Sequence, residues 1–526
     1  MMERHIGTWY KENDPKHHQS AELIIEGNNV EFYSRFHGEV LPCAFIGNDG
    51  QYNYKVFTNG SASIGNNKIL DYASSHKVFY VLMQNFEFSK GMDISGITEV
   101  SFFIPEIINW LGFKTVNYCS TQDSEMAAVE QKLEPILLHA CDPAIEIDFE
   151  SKTYESILSL EEDTEITIKK QPRIKIVYQE AKNIEVVMRD IESVMQFFGL
   201  VIGRVSDAKD IRLSIENQEL KTWLYFNFDF SYNIKAKNFL GRPRTYYYIL
   251  KDNLTDYYSS WRAFYYDEKY GLIRRVYFSA NNRKEIFAED IFVQYIKILE
   301  GYHLRISGDE KQAETLETAI KVSEKEIKKL IFTPEGKPIF EKVLNDALPG
   351  WTFKASHAKQ VSRWIATGYL GKTALSDRLK NLDNQFFNII ANNSIEIEKR
   401  SRNKEKINGK SDEELTNMYF KELSTTRNYY SHFKEDASGI LEYHQLNDSI
   451  NVLKALILSI FLSQMKIDKE LIRKIMLWDE ELRFETMCIA KEGDLPFDPP
   501  NHNLNVKPKE SLCQKIKRKV FRIIKE

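Results

Sequence analysis

Residues 420–436 read FKELSTTRNYYSHFKED, the close of a helix that apolar spacing places over 412–434. Leu415, Met418, Tyr419, Leu423 and Tyr430 form its buried stripe, which leaves Arg427, Asn428 and His432 together on the remaining surface. At about 100° per residue, Asn428 and His432 stand nearly in line, one turn apart. Arg427 lies about 140° round from His432, and its long stem can curl back toward the imidazole's target. Further helices are expected at 359–369, 372–399 and 444–466, after a Glu-, Lys- and Ala-rich stretch at 310–332. A charged loop at 398–414, expected to be mobile, separates the second of these from RNYYSH.

The residue types at 427, 428 and 432 suit metal-free RNA cleavage, although on the string alone an ordinary helix-end arginine and a surface histidine are the commoner origin. Cleaving RNA without a metal needs a base near the 2′-hydroxyl, an acid at the departing 5′-oxygen and positive charge beside the phosphorus. Histidine as a class titrates near neutrality and can fill either proton-transfer role. Arginine offers a planar, permanently charged fork that matches phosphate oxygens. Asparagine can orient the imidazole or donate to the phosphate. Of the 11 histidines only His432 has an arginine five residues before it. One histidine cannot stand on both sides of the scissile bond, so two copies facing each other across a two-fold axis are the natural solution. Tyr429 and Ser431, inside the same string, are candidate substrate contacts.

The front of the chain reads differently. Residues 21–33, AELIIEGNNVEFY, are two apolar runs joined by a turn, a hairpin signal. KVFYVLMQNFEF, ITIKK, RIKIVY, TWLYFNFDFSYNI and TYYYIL read as strands, and Pro105 opens a short helix ending near Gly112. Residues 183–204 and 290–305 carry apolar side chains at helical spacing. The expected fold class is α+β: a β-rich region at 1–165, a mixed α/β continuation at 166–305, an all-α domain at 306–476 and a basic tail at 477–526. In GRPRTYYY, Arg242 and Arg244 beside tyrosines could form a single-strand RNA platform, the commoner origin being a hairpin corner. His17-His18 reads as a solvated loop, and no metal site or cofactor motif is found.

Composition sets the frame. The chain has 526 residues, enough for two to four packing units, with 43% hydrophobic and 28% charged residues. A net charge of -5 gives no global signal of nucleic-acid binding, so RNA affinity must be local. Five scattered cysteines without a CxxC pair, a charged N-terminus and no long apolar span lead to the expectation of a reducing, cytoplasmic compartment without membrane insertion. The tail at 507–526 holds eight Lys or Arg in a pattern that could touch RNA phosphate or anionic lipid, or pack on the body.

RNYYSH resembles the RX4H signature of HEPN domains. TALSDRLKNLDNQFFNII, with Arg378-Leu379, is similar to an upstream helix of the ApeA-like HEPN group, and LNDSINVLKALILSIFLSQMKIDKELIRKI to its third helix and the one after. GTWYKEND, ELIIEGNNVEFY, SFFIPEIINWLGF and DIFVQYIKILEGYHLR resemble the N-terminal domain that accompanies this HEPN type. The likeness covers residues 5–476. It implies a metal-independent endoribonuclease toxin of bacterial anti-phage abortive infection, with Arg427 and His432 as catalytic pair. It also implies an RNA substrate, transfer RNA among the candidates, a homodimer through the HEPN domain and an unknown phage-derived trigger sensed in front. The alternative is a non-catalytic HEPN scaffold for dimerisation or nucleotide binding.

Overall fold

The first six strands close on themselves. In the computed structural model these are β1 (Met2–Lys11), β2 (Asp14–Glu26), β3 (Asn29–Ser34), β4 (Cys43–Asn48), β5 (Asn53–Asn67) and β6 (Asp71–Gln84). β2 and β3 pair antiparallel with Glu26 opposite Asn29, as the hairpin reading requires. The pairings β1–β2, β2–β3, β3–β6, β6–β5, β5–β4 and β4–β1 then complete a ring. A closed ring leaves no open edge strand. Trp9, Leu23, Phe32, Phe45, Tyr54 and Val81 fill its interior, alternating with outward residues along each strand. Gly47 makes room for Trp9: a Cβ there would lie 2.1 Å from the indole.

The described residues are 2–26, 29–36, 43–67, 70–85, 96–112, 116–120, 126–130, 133–157, 164–203, 207–218, 221–226, 242–282, 287–306, 333–347, 374–432, 435–491 and 494, with single positions between 318 and 329. The expected helix at 359–369 and the basic tail at 507–526 lie outside them, as does most of 310–332.

β6 also hands the sheet onward, Tyr80 to Met83 lying opposite Phe226 to Trp223 of β14 (Thr222–Phe226). Beyond it run β13 (Lys209–Ile215), β7 (Ile97–Phe103), β12 (Thr164–Lys182), β11 (Ala144–Ile157) and β10 (Ile136–His139), while β8 (Val116–Ser120) and β9 (Met126–Glu130) form a separate ribbon. Residue 165 falls inside β12, which pairs with β11 along its length, so 1–165 and 166–305 share one sheet. The short helix after Pro105 is α1 (Ile107–Leu111), stopped by Gly112 in the left-handed region. α2 (Ile184–Ile202) is capped by the Asn183 side chain and buries Val187, Ile191, Val194 and Phe198 in the core of this open sheet.

TYYYIL is not a strand. Residues 247–250 form α3 (Tyr247–Leu250), followed by α4 (Leu254–Tyr266) and α5 (Gly271–Asn282), both missed in the sequence. α6 (Ala288–Ile306) was expected to close the front region. Instead it packs among the helices that follow, Tyr302 accepting from Gln464 at 2.8 Å. The behind-sheet helices are α7 (Gly336–Ala347), α8 (Leu375–Gln385), α9 (Ile389–Lys399), α10 (Lys404–Ile407), α11 (Asp412–His432), α12 (Tyr443–Gln464), α13 (Lys469–Trp478) and α14 (Arg483–Thr486). The molecule is α+β, a large antiparallel sheet followed by a mostly helical region.

Two expectations in the helical region change. The helix expected at 372–399 is broken at Phe387 and Asn388, both left-handed, with φ of 68° and 54°. Asp383, at the end of α8, accepts from the Ile390 and Ala391 backbone N–H groups at 2.8 Å and so caps α9. The charged stretch 398–414 is pinned rather than loose. Lys406 Nζ lies 2.6 Å from Glu422 Oε2 and 3.2 Å from Glu398 Oε2, and Ser401 donates to Glu442 at 2.6 Å. Burial, reinforced by Glu398, pushes the Glu422 carboxyl above its ordinary range, with Lys406 opposing. α12 is long and apolar enough to cross a membrane, yet 67% of its apolar window is buried among the other elements.

One continuous apolar core joins the open sheet to the helices, running from Val100, Ile147 and Ile176 through α2, α4 and α5 to Leu453, Ile457 and Phe461 of α12. Arg244 is locked into this junction. Its Nε donates to Asp479 Oδ2 at 2.5 Å and its guanidinium to the Leu200 carbonyl, with both partners of the ion pair almost fully buried.

Candidate active site

α11 begins with Asp412, Glu413 and Glu414, which suit its positive N-terminal end, and finishes on His432 at the negative end. Its buried face is Leu415, Tyr419, Phe420, Glu422, Leu423 and Thr426, close to the expected stripe, while Met418 and Tyr430 are only half-buried. Tyr419 donates to or accepts from Ser449 on α12 at 2.7 Å, and the Leu441 backbone N–H donates to Thr426 at 2.9 Å. These contacts fix the rotation of α11. Its last turn therefore presents Arg427 and Asn428 half-buried and His432 exposed.

Arg427 does not hang free. Its Nη2 donates to Glu300 Oε2 at 2.7 Å and its Nη1 to Asn428 Oδ1 at 3.0 Å. Arg378 of α8 lies 3.6 Å from the other oxygen of the same carboxylate. Three helices thus converge: α6 brings Glu300, α8 brings Arg378, and α11 brings Arg427 with its neighbours. Two guanidinium groups share one carboxylate, so the cluster carries a net positive charge and can receive an anion. Among the described residues the buried Arg427 Nε and Ser431 Oγ have no hydrogen-bond partner.

Tyr429 and Tyr430 meet edge to face at 5.1 Å. Tyr429 and Ser431 lie half-buried in the same turn as His432. Arg244 is not with them: an arginine buried on Asp479 and backbone carbonyls cannot form a platform for RNA, and the expectation is withdrawn. Arg242 is exposed two residues earlier. His17, on β2, is exposed and paired with Asp14 at 2.7 Å. Among the described residues no group of three His, Cys, Asp or Glu side chains could hold a metal ion. Glu300 is the residue that sequence reasoning missed. Its helix was legible, but the partner that makes it part of the site sits 127 positions away.

A model of ApeA N-terminal domain 1 matches residues 4–261, and one of the Apea-like HEPN domain matches residues 293–471. The second begins inside α6, in agreement with the packing of that helix. The helical region is therefore a HEPN domain. The chain belongs to the ApeA-like HEPN proteins, N-terminal domain first and HEPN domain second. No curated protein and no solved structure shows significant similarity to it.

Proposed function

We propose that the chain is a metal-independent HEPN endoribonuclease of anti-phage defence, with Arg427 and His432 as catalytic pair and Asn428 as the residue that holds Arg427 in place. The observation that carries this reading is the make-up of the RNYYSH turn: an exposed imidazole at the end of the same helix, five residues on from a guanidinium held by Glu300 and Asn428. In the reaction the 2′-oxygen attacks phosphorus as a base removes its proton. The 5′-oxygen leaves with a proton from an acid on the far side, giving a 2′,3′-cyclic phosphate and a 5′-hydroxyl. Each chain supplies one such histidine, so the active unit is a two-fold homodimer in which both RNYYSH turns face one cleft. Two Arg427 groups beside one phosphate stabilise the charge that builds there.

Glu300 has a positioning role in this scheme. It holds the Arg427 fork while Arg378 balances its charge, so the arginine meets the phosphate without being reorganised. The front region supplies the sensing of infection.

The test is incubation of purified full-length protein with total RNA and with transfer RNA in EDTA, wild type beside His432→Ala. Cyclic-phosphate ends made by the wild type and not by the variant support the reading. Cleavage that stops in EDTA sinks the metal-independent mechanism. An inert wild type that still dimerises favours the scaffold reading, for which the Arg427–Glu300 pair would be purely structural.

A further inference from the structure

Between α2, α4 and α5 lies a cavity of about 530 Å³, within the range that small-molecule sites occupy. No residue of RNYYSH lines it. Its walls hold three arginines, Arg189, Arg274 and Arg275, against two carboxylates, Glu192 and Glu268. Glu192 is partly committed, since Tyr265 donates to it at 3.0 Å.

Arg274 is the unusual group. It is 7% exposed, and its Nε and Nη1 are buried without an acceptor among the described residues. Its guanidinium lies 4.3 Å from the Tyr265 ring centroid, a contact that supplies some electrostatic relief but no hydrogen bonds. Desolvation is the main cause that pushes its pKa down, to about 10, with Arg189 adding like charge and Tyr265, Asp267 and Glu192 opposing. The neighbouring Arg262 shows what a settled arginine looks like here. It pairs with the fully buried Asp190, which also accepts from Tyr266 at 2.8 Å and Tyr178 at 3.2 Å.

A second polar group in the same wall is also incomplete: Gln196, 5% exposed, has a buried amide oxygen with no donor. α5 opens at the rim with Gly271 and Leu272 and has no acidic residue in its first turn, the nearest carboxylates being Asp267 and Glu268 in the turn before it. Glu192 and Asp267 act on Arg274 by charge but leave its Nε and Nη1 without an acceptor, and a buried guanidinium with unmade hydrogen bonds is costly unless a ligand completes it.

We propose that this cavity binds a phosphate-bearing small molecule of nucleotide size. Guanidinium forks match phosphate oxygens two at a time, and the volume exceeds what a lone phosphate needs. Tyr266 is covered by Arg189 and Arg262 at 4.9 and 4.6 Å, and Tyr265 by Arg274, so recognition runs through charge rather than through stacking on these rings.

The probes are ATP and inorganic pyrophosphate, titrated calorimetrically into the purified full chain up to about 1 mM, where even weak sites register. Both are expected to bind and to raise the melting temperature. Arg189→Gln and Arg275→Gln, at exposed positions, should each weaken binding about tenfold, and Arg274→Gln should abolish it. If Arg274→Gln fails to fold, the Arg189→Gln/Arg275→Gln double variant decides. Binding of neither probe overturns the proposal, and so does binding that the double variant leaves unchanged. RNA cleavage is not the readout, so the outcome is independent of the nuclease reading.

Discussion

The barrel of β1–β6 and the sheet-and-helix body are built on opposite principles. The barrel encloses its own core, in which Trp9, Phe32, Phe45 and Tyr54, all within the first 54 residues, form a chain of touching rings. The body has no core that belongs to one part of the chain. Ile147 on a strand and Phe461 on a HEPN helix lie in the same apolar cluster, and Arg244 and Asp479 seal it. A unit joined to the rest mainly along one strand, as the barrel is through β6 and β14, passes on little of a change made on its far side. A shared one transmits what happens to it.

The largest effect belongs to the site, which the contrast predicts to be separable from stability. His432→Ala should lower RNA cleavage by about 10²–10⁴-fold, since His432 is exposed and its loss removes a proton-transfer group. Its unfolding free energy should stay within about 0.5 kcal/mol of wild type. Cleavage kinetics and urea melts on one preparation check both halves, and wild-type cleavage by this variant would end the mechanism.

Next comes the seal of the shared core. Arg244→Ala leaves Asp479 buried without its cation, a loss of about 3–5 kcal/mol in urea unfolding. Because the core is shared, the HEPN helices and the open sheet should lose stability together. Hydrogen exchange that changed on only one side of the junction would break the comparison.

Overpacking the barrel is milder and should stay local. Gly47→Ala puts a methyl group into the Trp9 ring and should cost about 1–3 kcal/mol. Faster exchange in β1 and β4, with α6, α11 and α12 unchanged, is the expected pattern.

The smallest effect is in pH. Glu422 is raised in the folded protein by burial, so the folded state holds its proton more tightly than the unfolded chain does. The stability this contributes is fully present below the ordinary glutamate value of about 4.3 and is lost as pH climbs through the raised folded value. Glu422→Gln should flatten that part of the stability curve. An unchanged slope would show that Lys406 holds Glu422 ionised throughout.

How much was readable follows the same division. The hairpin at 21–33 rests on neighbours, and alternation with a turn signal gives it directly. In α4 the signal was present but went unread: Leu254, Tyr257, Tyr258, Trp261, Phe264 and Tyr265 recur at helical spacing, just after the aromatic stretches at 222–234 and 245–250 that read as strands. The break at Phe387-Asn388 is set by the Asp383 cap, a contact between two helices that periodicity cannot anticipate. At the site, RNYYSH gave the helix and the side chains it exposes. Glu300 and Arg378 needed the packing of three helices, which no local pattern encodes.

The continuity of the apolar core has a consequence for inheritance. Two domains that meet through a thin surface can be shuffled among relatives as separate cassettes. Here Tyr277 of α5 packs edge-on against Phe461 of α12 at 4.8 Å, and Arg244 is matched to Asp479. An exchanged HEPN domain would arrive with the wrong half of each pair. Descent should therefore keep the two halves together, and substitutions at 244 and 479, or at 277 and 461, should be inherited as couples.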